Sequence, residues 1–542
     1  MKYGLISFFA FLFSCSIYAQ SLEVSDIYSN LPLIVINTNG QTIVDEPKIK
    51  ADIKIIYKGV SALNHYADSG NIYDGLCGIE YRGTYSQTLP QKPFGFETRD
   101  SLGNNNNVSL LDMPAENDWI LLANYNDKVF MRNTLAFHLF EKMGHYAPRT
   151  RICEVIVNDT YEGIYIFTEK IKRDKNRVDI ARLDEDDNAG DSLTGGYIFK
   201  TDYYHETDSW LSAYSPIDHP GSRVYFVYEY PEPDLIDSFQ MNYIQEFVNT
   251  CETILYGDNF KDPQLGYRAY IDTKSFIDYF IIGELSRNID AYKKSALFHK
   301  DRDDNGGLLK RGPVWDFDWA WKNMNNNCDI FAATNGSGWA YQVNTCDNWP
   351  VAPAWIIRLL QDKAFEDELY TRYTMLRNTI LSEDYLEHYI DSVALLVNDA
   401  QARHYKRWPI LGFNVGTPEV DYQPSSYEGE IFKFKSWIAT RLSWLDANMP
   451  GELIVSNTPG LNDDQFIFRL FPNPVRDFLF IESDQPILKV EILNTAGMIM
   501  RSLMIEGCYS SALDVNGLNP GIYVVRTTFE NNAIVVRRIV VE

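Results

Sequence analysis

The run Gly312-Pro313-Val314-Trp315-Asp316-Phe317-Asp318-Trp319-Ala320-Trp321 sets two acids two residues apart among apolar and aromatic side chains. In an extended chain Asp316 and Asp318 project on the same side. Burying two carboxylates without partners costs on the order of several kcal/mol, so a cation or dense hydrogen bonding must offset it. Magnesium suits such a pair, being hard, oxygen-seeking and usually held by one or two carboxylates together with phosphates. Capping of a turn, or bonds to backbone amides, is the plainer alternative. Upstream, Asp290 closes Arg287-Asn288-Ile289-Asp290, after a predicted helix and before a predicted hairpin strand at 295–300. A carboxylate in that slot can orient an attacking hydroxyl and accept its proton. A simple helix-end cap by Asn288 or Asp290 is the competing reading.

The elements that must position these acids are legible in outline. Met131, Leu135, Leu139 and Met143 recur every four residues between Asp127, a candidate cap, and Gly144, which predicts a helix. A second helix is expected from Asp272, with Phe276, Phe280 and Leu285 inside. Residues 354–448 read as mostly helical, the last segment burying Ile431, Trp437, Ile438, Leu442 and Leu445. Alternating apolar runs at 33–36 and 53–56, and blocks at 77–99 and 153–170, read as strands. A mixed sheet followed by helices predicts an α+β architecture. Residues 450–469 read as a linker, rich in Gly, Pro, Asn and Asp. Short strands then resume at 478–481, 490–493, 522–525 and 533–541, with the spacing of a β-sandwich.

At 542 residues the chain is too long for one core and should hold two or three domains. Net charge is −25, of which −23 lies in the first 469 residues. A surface so acidic repels nucleic acid and anionic membranes, so no nucleic-acid partner is expected. Residues 1–20 read as an export signal: Lys2, an apolar stretch at 5–13 and a small-residue exit at 16–20. Leu12-Phe13-Ser14-Cys15 is a poor lipobox, because Phe13 is bulky for its slot. No later run approaches ~20 apolar residues, so no transmembrane helix is expected.

Six cysteines remain beyond Cys15, none in C-x-x-C. Export permits disulfides, and pairing Cys328 with Cys346 around a Gly- and Asn-rich loop would contribute roughly 3 kcal/mol. Separate buried thiols are the alternative. Phosphate-binding glycine loops, H-E-x-x-H and G-x-S-x-G are absent. Residues 301–306 match the start of a calcium loop, but its twelfth position, Gly312, offers no carboxylate. The stretch reads as a hairpin turn, with weak Ca2+ binding as the alternative.

From Leu470 onward the chain resembles the type IX secretion sorting domain of Bacteroidota. The matching residues are Phe471-Pro472-Asn473-Pro474, Val490-Glu491-Ile492-Leu493 before Ala496-Gly497, Leu518, Gly521-Ile522-Tyr523 and Arg537-Arg538-Ile539-Val540-Val541. The resemblance implies the type IX secretion machinery as a partner and a secreted or outer-surface location.

The stretch from Gly78 to about Leu445 resembles the CotH kinases, an atypical kinase-like family. Its landmarks are Gly78-Ile79-Glu80-Tyr81-Arg82-Gly83, Ser86-Gln87, Pro90-Gln91-Lys92-Pro93-Phe94-Gly95-Phe96-Glu97, Trp119-Ile120-Leu121-Leu122 and Asp127-Lys128-Val129-Phe130-Met131-Arg132-Asn133. Further on come Val157-Asn158, Tyr161-Glu162-Gly163-Ile164-Tyr165, Glu169-Lys170-Ile171, Asn288-x-Asp290 and Trp315-Asp316-Phe317-Asp318. The resemblance implies an atypical protein-kinase-like domain over 76–449, preceded by a β-rich segment at 21–75 and followed by a β-sandwich at 470–542. It implies Asp290 as the catalytic carboxylate, and Asp316 and Asp318 as Mg2+ ligands. Lys92, Arg132 and Glu169 would grip the phosphates of ATP or form the pair that positions them. Two departures stand out. Many relatives have Pro-Lys-Lys where this chain has Pro90-Gln91-Lys92, and the Asn often found shortly after the catalytic Asp is missing from Ala291-Tyr292-Lys293-Lys294-Ser295.

The function so implied is phosphoryl transfer from ATP to Ser or Thr of an unknown protein substrate. Two alternatives stay open. One is a non-catalytic surface module presenting the aromatic loop 325–349 to glycan or protein. The other is a glycoside hydrolase pairing Asp316 with an acid such as Glu284.

Overall fold

The computed structural model describes residues 23–453 and 468–541, apart from 326, 347, 348, 495–497 and 531–533; they fall into two compact units divided between 453 and 454. The predicted export signal and lipobox, Ala496-Gly497, and residues 454–467 of the predicted linker lie outside the described residues.

In the first unit the strands close into a barrel, and alternation is clearest in the one over Ile49–Ile56. Ala51, Ile53 and Ile55 point inward while Lys50 and Asp52 face solvent, as period-two patterning requires. Seven strands take part: β1 (Leu33–Asn37), β2 (Ile49–Ile56), β3 (Tyr73–Tyr81), β4 (Phe94–Arg99), β5 (Asp118–Ala123), β6 (Thr150–Val157) and β7 (Thr160–Glu169). Around the wall they run β1-β2-β3-β4-β5-β7-β6. Only the closing pair, β6 with β1, is parallel, with Leu33 opposite Glu154. Closure leaves no edge strand exposed. Two staves come from residues 33–56, so the β-rich segment expected at 21–75 is built into the same sheet as the strands that follow it. The barrel interior packs Ile34, Ile53, Ile79, Phe96, Trp119 and Phe167.

Between β5 and β6 lies α1 (Arg132–Lys142), ending before Gly144 at φ +98°. Met131, not Asp127, occupies the cap position. Asp127 still serves the first turn, accepting N–H bonds from Arg132 at 2.9 Å and Val129 at 3.2 Å.

A second, antiparallel sheet follows: β8 (Tyr197–Thr201), β9 (Ser209–Leu211), β10 (Tyr225–Tyr230), β11 (Ala296–Lys300) and β12 (Leu309–Arg311), ordered β9-β10-β8-β11-β12. The expected succession of one sheet and then helices is therefore corrected, because this sheet is interleaved with α2 (Ser238–Tyr256) and α3 (Thr273–Ser286). Asp272 caps α3 through the Ser275 N–H at 2.9 Å. Every residue of α3 from Ser275 to Ser286 is buried, as in a helix at the centre of a large core. Against it pack α4 (Lys363–Arg377) and, after α5 (Glu383–Leu396) and α6 (Asn398–Arg407) in the chain, α7 (Tyr427–Asn448); α5 packs on α7, and α6 on β7. In α7 Trp437, Ile438, Leu442 and Leu445 are buried, and Ile431 is half-buried. Cys328 and Cys346 form a disulfide across 18 residues. Cys77, Cys153 and Cys251 are buried thiols.

The second unit is a β domain: β13 (Phe468–Phe471), β14 (Phe478–Leu493), β15 (Ile499–Asp514), β16 (Gly521–Phe529) and β17 (Ile534–Val541). The two short strands expected at 478–481 and 490–493 are the ends of one 16-residue strand. β14 pairs with β13 at its first half and with β16 at its second, on either side of a register break between Glu482 and Ile487, while β15 pairs along both halves. Among the described residues no helix is long and apolar enough to cross a membrane.

Candidate active site

α3 ends where Arg287 adopts a left-handed conformation, φ +46°, which turns the chain into the loop carrying Asp290. The buried Arg287 guanidinium fixes this turn. It donates to the carbonyls of Phe331 (3.0 Å), Ala333 (2.9 Å) and Ser337 (2.8 Å), and to Asn323 Oδ1 (2.5 Å). Burial, then the charge of Arg441, draws its pKa down to about 9. Asn288 ties the two acidic segments together. Its Oδ1 accepts the Asp290 N–H at 3.0 Å, and its Nδ2 donates to the Asp316 carbonyl at 3.1 Å. The Asp290 carbonyl in turn accepts the N–H groups of Lys293 and Lys294.

The acidic run is not extended. Asp316 has φ +68°, a left-handed conformation costly for a residue with a Cβ. The Phe317 N–H bonds to Asn133 Oδ1 at 2.7 Å and secures the turn. The sheet-like projection expected for Asp316 and Asp318 is thus corrected to a strained turn, in which the two carboxyl groups still lie close enough for the charge of Asp318 to act on Asp316. Burial, and next the charge of Asp318, push Asp316 up to about 7, against the pull of Lys294 and a 3.1 Å bond from Ser295 Oγ. Asp318 accepts from Asn126 Nδ2 at 2.5 Å.

Asp290 joins them through Lys294. The Lys294 ammonium lies 3.1 Å from Asp290 Oδ2, and Lys293 lies 3.9 Å from Oδ1. Burial raises the Asp290 carboxyl, the two lysines lower it, and the charge of Asp316 raises it again. Burial opposes the charge on Lys294, but Asp290 and Asp316 together hold its pKa above the ordinary lysine range. Asp290, Lys294, Ser295, Asp316 and Asp318 therefore form one interacting group. Among the described residues no cluster of three or more His, Cys, Asp or Glu converges as a ready-made metal site. The donor set still fits a hard divalent ion that takes two carboxylates and completes its shell with phosphate and water.

The other sequence candidates stand apart from this group. Lys92 Nζ donates to the Gln87 carbonyl at 2.6 Å. Arg132 is buried, donating to the carbonyls of Ala320 (3.1 Å) and Trp321 (2.6 Å), and pairs with Asp127 at 3.2 Å. It braces the chain just after Asp318. Glu169 is fully buried and holds Arg149 at 2.8 Å, Tyr146 at 3.1 Å and Arg177 at 3.8 Å. Glu284 is also fully engaged: it accepts from the N–H groups of Ala340 (2.7 Å) and Tyr341 (2.8 Å) and from Tyr292 (3.0 Å), and pairs with Arg441 at 3.2 Å. At 301–306 the chain makes the turn between β11 and β12. There Asp301 accepts from Ala181 N, Arg302 N and Asn305, and Asp303 pairs with Lys300.

A family model described as CotH kinase protein matches residues 79–445, about two thirds of the chain. The chain belongs to the CotH kinase family. Residues 469–542 match the secretion system C-terminal sorting domain, which marks the protein as secreted or held at the cell surface and as cargo of the type IX machinery. No curated protein matches the chain.

Sequence reasoning about this CotH protein missed Lys294, Ser295 and Asn126 as site residues. Ser295 carried a usable signal. It stands five positions after Asp290, where the kinase catalytic loop H-R-D-x-x-x-x-N has its Asn, and its hydroxyl bonds the second acid directly.

Proposed function

We propose that this CotH protein is an exported phosphotransferase that moves a phosphoryl group from ATP to a Ser or Thr hydroxyl of a protein, and that its barrel and helical body act as the two parts of an atypical kinase-like fold. The observation that supports this best is the grouping of Asp290 with Asp316 and Asp318 around Lys294. Phosphoryl transfer needs little covalent work from a protein and depends on positioning and charge compensation.

Asp316 and Asp318 would hold Mg2+, which supplies neutralisation of the charge on the donor's phosphates. The strained turn at Asp316, anchored by Asn133 and Asn288, fixes the direction of that carboxyl. Asp290 accepts the proton of the attacking hydroxyl. Lys294 and Lys293 favour its charged form against burial and fix its orientation. Glu284 gives no support to the glycosidase alternative, since both its oxygens are occupied by backbone amides, Tyr292 and Arg441.

The test is transfer of labelled γ-phosphate from MgATP to the protein itself or to a casein-like acceptor. Asp290→Asn and Asp316→Asn should each lower incorporation by ~100-fold or more, in the range for loss of a proton acceptor or a charge-stabilising group. Equal incorporation by wild type and both variants would refute the kinase reading.

A further inference from the structure

A polyphosphate at this site needs cations beside it, and most of the nearby ones already hold an acceptor. Lys294 is committed to Asp290, Lys92 to Gln87, and Arg132 to two carbonyls and Asp127. Lys200 pairs with Glu229 and lies 3.5 Å from Asp202.

Arg82 differs. It follows β3 directly and precedes Gly83, whose φ of +82° turns the chain back. Its guanidinium lies 5.6 Å from the ring centre of Trp315, the residue before Asp316. Nη1 is buried and has no hydrogen-bond partner. Among the described residues no carboxylate comes within ion-pair distance of it; Glu229, Asp316 and Glu80 act on it only through space. A buried donor left unsatisfied costs ~1–3 kcal/mol. A guanidinium lying against an indole keeps its N–H edge free, and that edge matches phosphate oxygens bidentately.

We propose that Arg82 is the phosphate-gripping residue of this site, its Nη1 edge taking a terminal oxygen of a polyphosphate donor while Trp315 fixes its distance from Asp316. The inference rests on the phosphotransfer reading and supplies the cation that reading requires.

The experiment titrates the full chain with MgATP, with magnesium tripolyphosphate, and with Mn2+ alone, for wild type, Arg82→Gln and Arg82→Lys. Wild type should bind both polyphosphates. Arg82→Gln should weaken both at least tenfold while Mn2+ alone binds as before, and Arg82→Lys should recover part of the loss. Unchanged tripolyphosphate affinity in Arg82→Gln, or no tripolyphosphate binding by wild type, would overturn the proposal. Should Arg82→Gln fail to fold, phenylglyoxal labelling of wild type mapped at Arg82 decides. Tripolyphosphate should protect the residue, and labelling that tripolyphosphate leaves unaltered would overturn the assignment. Polyphosphate binding through Arg82 without any transfer would sink the kinase reading alone. Transfer that survives with intact binding in Arg82→Gln would sink this inference alone.

Discussion

Asp316 is pulled in two directions. Burial and Asp318 drive its carboxyl toward the protonated form, whereas Lys294 and Ser295 favour the charged one, and the balance falls at about 7. Its ordinary value is 3.8, so between those limits the folded protein keeps a proton that the unfolded chain releases. The contribution of this group to stability is therefore greatest at low pH and is lost as pH rises through 7. On the proposed reading, a divalent ion would have to displace the same proton. Mn2+ affinity should rise about tenfold per pH unit up to ~7 and then level off. Replacing Asp318 with Asn removes the neighbouring charge and should start the plateau at lower pH. Metal titrations from pH 5.5 to 8 measure this directly, and a flat profile for wild type would contradict it.

The loop between α3 and β11 owes its shape to a distant segment. Three of the four acceptors of Arg287 are carbonyls at 331, 333 and 337, inside the span closed by the Cys328–Cys346 disulfide. Replacing both cysteines with Ala should cost roughly 3 kcal/mol of stability. It should also reduce phosphoryl transfer under conditions where the variant stays folded, because Arg287 directs the turn into Asp290. Urea midpoints compared with turnover separate the two effects; full turnover in a destabilised variant would show that the loop does not position Asp290. Much at this scale was legible in the sequence. Four-residue periodicity revealed α1, a cap at Asp272 with apolar residues after it revealed α3, alternation revealed most barrel staves, and an aromatic run containing two acids singled out Asp316 and Asp318 but not the turn they stand in. Of the second sheet only the hairpin strand at 295–300 was read, because Ser209–Leu211 and Leu309–Arg311 have three residues each and Tyr197–Thr201 and Tyr225–Tyr230 bury consecutive residues, so alternation does not show. Arg82 and Lys294 escaped for another reason. Lone cations usually lie in solvent, and what singles these out is proximity to Trp315 and Asp290 after folding.

For the whole molecule, the governing fact is charge. A chain with a net charge of −25 repels a polyanionic donor at long range. On the proposed reading, binding would then depend on the local arrangement of Arg82, Lys293 and Lys294 and on a divalent ion that Asp316 and Asp318 would hold. The C-terminal unit, with its own core of Val475, Leu479, Val490, Val525 and Ile539, carries the address. The catalytic proposal concerns only the unit that ends at 453.

Calorimetric titration of the full chain with ATP, with and without Mg2+, for wild type and Asp316→Asn, asks whether the acidic turn holds an ion against a nucleotide. Wild type should bind ATP only when the ion is present, and the variant should lose that binding. ATP bound equally well without Mg2+, or unaffected by removing the Asp316 carboxylate, would contradict that role for the turn.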